Sequence, residues 1–415
     1  MNAARADWRY GLLGLPLAFV ALPLYVQLPN HYAREFGVPI AALGAVLLGA
    51  RLFDAVLDPW IGALTDRLFA RTPRAVLAAG AGAAAVLALG FALLFFPPVR
   101  GGAALLVWAA LALLVTYAAF SLLSVAHQSW GAMLGGDEAE RGRIVAWREG
   151  LGLVGVLLAS LLPVLAGWTL TAAVLACSLV AGCWAWSSSR RPQPRAMAVA
   201  RTGWWRPLRE PRFRSLLAVF ILNGIATAVP ATLVLFFVQD RLQAPPAQEA
   251  LFLGSYFLCA AVSVPLWLRI VQRFGLARSW LAGMVLAVAV FAWAGLLGAG
   301  DGVMFVAVCA LSGFALGADL ALPGAILSGV IADAGLRGSG EGRFFGWWNF
   351  ATKLNLALAA GVALPLLALA GYAPGARTAE ALHALTLAYC VLPCVLKAGA
   401  ATLLYFTLIR HGGPR

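Results

Sequence analysis

The sequence predicts an all-α integral membrane protein of about twelve transmembrane helices in two six-helix bundles. Three observations predict it. Hydrophobic residues make up 62% of the chain and charged residues 11%, and the mean hydropathy is +0.87, far from the balance of a soluble domain. Apolar runs of about 20 residues, the length that crosses a bilayer core, recur from end to end. A pattern of Gly-Arg-apolar-apolar-small-Trp stands at Gly142–Trp147 and again at Gly342–Trp347. The ten-residue alternating segments of a membrane β-barrel are absent. The first apolar run is long and followed by further runs, unlike a cleaved signal peptide.

In chain order the expected spans are 10–30, 39–61, 75–97, 102–127, 144–166, 169–188, 213–238, 249–270, 279–299, 302–331, 344–370 and 382–409. The one long polar stretch, SSSRRPQPRAMAVARTGWWRPLREP, follows the sixth span. It divides the chain into a first bundle at 1–188, a linker at 189–212 and a second bundle at 213–415. Trp204 and Trp205 beside Arg206 point to a linker segment lying on the inner leaflet. The Gly-Arg hexapeptide opens the fifth and the eleventh spans, in register with a repeat of two parallel halves. A weaker repeat joins Gly62, Asp66, Arg67 and Arg71 after the second span to Arg269 and Arg273 after the eighth, without the acid.

The net charge of +13 could indicate nucleic acid, but its distribution indicates topology. Arg67, Arg71, Arg141, Arg206, Arg269 and Arg337 fall in alternate loops on one side, while Arg34, Arg100, Arg241 and Arg377 fall on the other. The positive-inside rule then places both termini in the cytoplasm, here of a bacterial inner (plasma) membrane. All six cysteines sit within apolar runs and read as small core residues. The four histidines, His31, His127, His383 and His411, are scattered. No nucleophile–base pair, metal-spaced cluster or phosphate loop argues for an enzyme.

Three charges interrupt the second span. Arg51, Asp54 and Asp58 lie within about 60° of one another at 100° per residue. A charge near the bilayer centre must be paired or face a wet cavity. An Arg51–Asp54 pair could merely lock two helices, yet it leaves Asp58 one negative charge in excess, which a monovalent cation or a proton would neutralise. Elsewhere, Asp319 sits mid-span with Pro323 one turn on; it is either functional or the partner of a salt bridge, with Lys353 the candidate. The chain has only two lysines, Lys353 and Lys397, both inside apolar runs. Lysine responds to burial as arginine does not, which points to a positional role for both; the alternative is snorkelling to an interface, which suits Lys397 better than Lys353. Asn349 shares a face with Lys353, and Trp347 reads as a member of an interfacial belt. His127, Gln128 and Trp130 close the fourth span with donors, an acceptor and a ring that could meet a polar ligand; a histidine near a membrane end is more often structural, and substrate or proton contact is the sharper alternative for His127. Tyr25, Gln27, Asn30, Asn223 and Thr227 are further polar groups expected toward a central cavity or between helices.

Four of these pieces together resemble the glycoside–pentoside–hexuronide:cation symporters, the melibiose-permease branch of the major facilitator superfamily. They are Arg51-Leu52-Phe53-Asp54-Ala55-Val56-Leu57-Asp58-Pro59; Glu140-Arg141-Gly142-Arg143-Ile144 followed by Arg148; Ile331-Ala332-Asp333 with Glu341-Gly342-Arg343-Phe344-Phe345; and Lys353. The resemblance implies the major facilitator fold and a coupling ion, Na+ or H+, bound by Asp54 and Asp58 and completed by a fourth-helix hydroxyl, which Ser121 supplies. Two carboxylates one turn apart with a hydroxyl would also make an oxygen cage on chemical grounds alone. The chain departs from the branch's sugar transporters where these carry acids in helices one and four: Ala18 and Ser124 stand there, and Gln128 replaces a sugar-stacking aromatic, with Trp130 nearby.

The expected function is secondary active transport, the cation-coupled symport of a small polar, sugar- or glycoside-like solute by alternating access. The alternative is a proton-driven or uncoupled transporter or exporter of an amphipathic compound or lysolipid. Expected partners are the small-molecule solute and membrane lipids, not nucleic acid, and the expected state is a monomer without a cofactor.

Overall fold

A computed structural model describes residues 7–38, 40–192, 203–372 and 375–410; among the helical residues, the side chains of Tyr25 and Asn30 lie outside what it describes. Every regular element among these residues is helical. The first span is broken into α1 (Asp7–Gly11), α2 (Gly14–Leu22) and α3 (Leu28–Glu35), with a π-turn at Pro23–Gln27. Then come α4 (Ile40–Arg71), α5 (Pro73–Phe95), α6 (Gly102–Leu134) and α7 (Glu138–Ser187). Helix α7 is two spans, separated where Gly167 takes φ 73° just after Pro163; only glycine adopts that conformation readily. The later elements are α8 (Pro211–Phe236), α9 (Pro246–Phe274), α10 (Leu276–Ala294), α11 (Gly302–Asp333), α12 (Glu341–Leu369), α13 (Ala379–Thr386) and α14 (Leu392–Leu404). A π-turn at Leu387–Val391 joins α13 to α14 into the last span. The helical segments thus follow the twelve expected spans. Nine among the described residues are long and apolar enough to cross a membrane by themselves.

Local chemistry explains the boundaries. Thr72 caps α5 by accepting from the Ala75 amide at 3.1 Å, with Pro73 at the first helical position. Asp137 does the same for α7, accepting from the Glu140 amide at 2.8 Å. Gly101 and Gly135 flank α6 with positive φ.

The chain forms two units. The first comprises residues 1–207 and 331–350, and the second residues 208–330 and 351–415. In the first unit α2 packs on α7, and α4 and α5 pack on α6. Its core holds Phe19, Phe91, Phe95, Tyr117 and Trp186. At one end Asp7 is gripped by Arg143 at 2.8 Å and Arg190 at 3.0 Å, and Glu140 accepts from Arg190 at 2.7 Å. In the second unit α14 packs on α8 and α10, and the Tyr389 ring stacks on Phe237 at 4.2 Å.

Segment 331–350 lies in the second half of the sequence, yet its contacts are with the first unit. The reason is a close crossing of α4 and the start of α12. A Cβ on Gly62 would stand 2.2 Å from the Gly342 carbonyl oxygen, and one on Gly346 would stand 2.6 Å from that of Asp58. The linker tryptophans join this contact. Trp204 stacks on Trp347 at 5.6 Å and on Trp60 at 5.3 Å, and its carbonyl accepts from the Trp347 indole at 3.0 Å. Trp347 is therefore packed at 8% exposure, where the sequence reading put it in a belt.

Gly62→Val is expected to destabilise the protein by at least about 1–3 kcal/mol, the cost of overpacking against rigid backbone. Gly82→Val, where a Cβ meets nothing within 4 Å, is expected to be close to neutral. Thermal unfolding of the two variants in detergent checks the difference.

Candidate functional site

Helix α4 has two faces. Leu52, Val56 and Trp60 are exposed, as lipid-facing side chains of a membrane helix would be, whereas Asp54 and Asp58 are buried at 1% and 0%. The acids thus point into the first unit, as their one-turn spacing requires. Ser121 of α6, also buried at 1%, donates its hydroxyl to Asp54 Oδ1 at 2.8 Å. Arg51 and Asp54 both act electrostatically on the Tyr117 hydroxyl. Two carboxylates and a hydroxyl, all hard oxygen donors, suit a small monovalent cation or a proton. A serine oxygen that donates its hydrogen to a carboxylate keeps lone pairs for such an ion.

At the far end of α4, Asp66 is buried at 3% and sits on the N-terminus of α12. Its Oδ1 accepts from the Gly342 amide at 2.7 Å and its Oδ2 from the Arg343 amide at 3.2 Å, with the Arg343 Nε at 3.6 Å. A carboxylate there satisfies helix-terminal amides and meets the positive end of the helix dipole. Burial nevertheless pushes its carboxyl up to about 8, against the opposing pull of Arg343. Glu341 caps the same turn, accepting from the amides of Gly338 at 2.6 Å and Gly340 at 3.2 Å.

Several residues expected at a solute site are placed otherwise. His127 is fully buried; its Nε2 lies 2.8 Å from the Tyr10 carbonyl, and its ring stacks on Tyr10 at 4.2 Å and meets the Trp186 edge at 5.7 Å. Trp130 is also fully buried and donates to the Arg190 carbonyl at 3.0 Å. Both are core residues of the first unit, because His127 packs on Tyr10 of α1 and both rings meet Trp186 of α7. Ser124 is buried at 6%. Arg148 donates twice to Glu149 Oε1, at 2.9 and 2.6 Å, so its charge is compensated by its neighbour in sequence. Gln128 and Asn349 are half-buried in the first unit, and Lys353 is half-buried in the second. Gln27 donates to the Ala159 carbonyl at 3.4 Å, as interhelical glue.

The ion-pair partner of Asp319 is Lys397, at 2.7 Å, and not Lys353. Lys397 is buried at 4%, in keeping with a positional role and not with the snorkelling alternative. Asp319 also accepts from Asn223 at 3.0 Å and from the Trp280 indole at 2.8 Å, while Lys397 donates to Asn223 Oδ1 at 2.8 Å. The lysine scarcity marks Lys353 and Lys397 alike; what it does not give is which of the two meets Asp319.

Comparisons with known proteins agree with this architecture. A family model described as MFS/sugar transport protein matches residues 9–411. No curated protein matches the sequence. Among solved structures, a bacterial homologue of the iron transporter ferroportin in an outward-facing state aligns with a TM-score of 0.73 at 16% identity, covering 99% of this chain and 100% of that one. The E. coli fucose:proton symporter FucP aligns with a TM-score of 0.68 at 16% identity, over 98% of this chain and 97% of its own. The human organic anion transporter MFSD10 aligns with a TM-score of 0.64 at 16% identity, over 97% and 100%. At such identities the likeness shows the fold, which is that of the major facilitator transporters.

The Asp66 contact carries a pH prediction. Its carboxyl holds a proton up to about pH 8 while the contact is made, and only to about pH 4 once hydrated. The contact is therefore favoured below about pH 4 and loses that advantage as pH rises through about 8. Hydrogen exchange at the Gly342 and Arg343 amides, corrected for intrinsic rates, should report weaker protection across that window. Asp66→Asn should cost about 1–3 kcal/mol of local stability, because one buried amide loses its acceptor.

Proposed function

The chain belongs to the MFS/sugar transport protein family, and from that premise we propose that it is a cation-coupled symporter of a small polar solute, with Asp54, Asp58 and Ser121 as the cation site. That it is an integral membrane transporter and not an enzyme follows from the family. The ion, the solute class and the residues are the proposal. The observation that carries it is the burial of two acids one turn apart on α4 with a serine hydroxyl on one of them. Two carboxylates of like charge in a low-dielectric interior favour binding of a cation or a proton, and Arg51 on the same helix can offset only one of them.

In this reading Na+ or H+ neutralises the second carboxylate, and the neutral site lets the transporter change the side to which it opens. Lys353 is proposed as the other coupling residue, an ammonium whose removal changes how the protein responds to the cation. The Asp66 contact at the start of α12 serves as a latch that is made in one state and released in the other. We place the protein in a bacterial inner membrane with both termini cytoplasmic, on the loop arginines. The solute is taken as sugar- or glycoside-like from the family description alone. The absence of acids from span 10–30 and span 102–127 favours a second reading, in which an amphipathic compound or lysolipid is carried by proton drive or without coupling.

Asp58→Asn keeps the shape of the side chain and removes its charge. Concentrative uptake by that variant in proteoliposomes is expected to fall to simple equilibration, while exchange of labelled for unlabelled solute persists. Normal accumulation would remove Asp58 from the mechanism. Lys353→Ala is expected to tighten cation binding or to make the solute response insensitive to the cation. Unchanged affinity together with unchanged accumulation would assign Lys353 a purely structural role.

A further inference from the structure

The second unit holds a cavity of about 170 Å³ among α8, α9, α10, α11 and the last span. Its walls are apolar and aromatic, Val234, Phe252, Phe257, Phe291 and Leu316 among them, and its polar end is formed by Thr227, Asp319 and Lys397. An apolar cavity of roughly 150 Å³ admits a benzene-sized molecule, so this one has room for a single ring or a compact branched chain. Exposed Ala231 and Leu253 border it, which gives it a mouth between α8 and α9.

The polar end is already neutral and closed. Asp319 accepts from Asn223, Trp280 and Lys397 at 2.7–3.0 Å and more weakly from Thr227 at 3.4 Å. Lys397 spends its three hydrogens on Asp319, Asn223 and Thr227 at 2.7, 2.8 and 3.3 Å. A charged ligand would bring in a charge with no counter-ion, at a high cost in such surroundings. A neutral one would not. Two hydroxyls in the wall ask for a partner. Tyr389 is 4% exposed and Tyr256 half-buried; both line the cavity, and neither hydroxyl makes a hydrogen bond to another described residue. Neither oxygen is sealed in the wall, so each is open to the cavity, where a ligand can supply the partner that a tyrosine hydroxyl at this depth ordinarily has.

We propose that this cavity is a binding site for a neutral, ring-sized amphiphile whose hydroxyl or carbonyl group is held by Tyr389 and Tyr256 and whose body fills the apolar walls. The site lies wholly within the second unit and does not depend on the transport reading. A lipid chain or detergent tail could fill the same walls but has no head group for the tyrosines, so the head-group preference separates the two sources.

The test uses the purified full chain in detergent and two probes, 4-fluorophenol and fluorobenzene, followed by fluorine NMR. The expected result is saturable binding of both, with fluorophenol tighter by about tenfold, the contribution of one buried hydrogen bond. Tyr389→Phe, which keeps the ring that stacks on Phe237, should erase most of that preference and leave fluorobenzene unchanged; Tyr256→Phe is the second variant should the first not fold. Ala231→Trp, at the exposed mouth, should abolish saturable binding of both probes while the protein elutes as a folded species. The proposal is overturned by uptake that never saturates, by saturable uptake equal in wild type and Ala231→Trp, by equal affinity for the two probes, or by a preference that survives in both phenylalanine variants.

Discussion

A charge withdrawn from water into a helical bundle must be met by an opposite charge and a full set of hydrogen bonds, and this chain meets that demand in two ways. In the second unit, Asp319 and Lys397 stand one for one, and Asn223, Thr227 and Trp280 complete the pair. The result is a neutral brace tying α8, α10, α11 and α14 together. In the first unit, Asp54 and Asp58 stand one turn apart on α4, Arg51 precedes them by about a turn, and Asp54 holds Ser121 of the neighbouring helix. A balanced cluster has no call on an ion from outside. The coupling ion is proposed at α4, where two buried acids one turn apart and the Ser121 hydroxyl gather hard oxygen donors.

The same economy governs the backbone. Helices that meet closely in a membrane do so through small residues, and the crossing of α4 with the start of α12 rests on Gly62, Gly342 and Gly346. The approach brings the Asp66 carboxylate onto amides that would otherwise be orphaned at a helix N-terminus. Packing and electrostatics therefore coincide at one contact. A residue that spoils the glycine approach would also take the Asp66 side chain away from its amides.

The helical architecture was legible in the sequence because membrane spans announce themselves by length and hydropathy alone, and the observed helical segments fall on the expected spans. Helical geometry places Arg51, Asp54 and Asp58 on one stripe; the two acids are buried as that requires, whereas Arg51, near the edge of the stripe, is exposed. Partner identity was less legible. Asp319 was assigned a possible bridge to Lys353, and the structure gives Lys397 instead, because helical periodicity orders residues along one helix but does not say which of several helices is adjacent. His127 and Trp130 looked like ligand groups by type alone; the packing of α6 against Tyr10 and Trp186 turns both into core. Residues 331–350 grouped with the first unit for the same reason: the glycine crossing that holds them is a three-dimensional contact between segments nearly three hundred residues apart.

The most direct measurement is equilibrium binding of the coupling ion to purified protein, by sodium titration in a calorimeter alongside proton uptake in weakly buffered solution. The account predicts one monovalent cation per chain in the wild type, Na+ or H+, and none in the Asp54→Asn, Asp58→Asn double variant. It also predicts weakened but present binding in Ser121→Ala. A double variant that binds the cation as tightly as the wild type would contradict it.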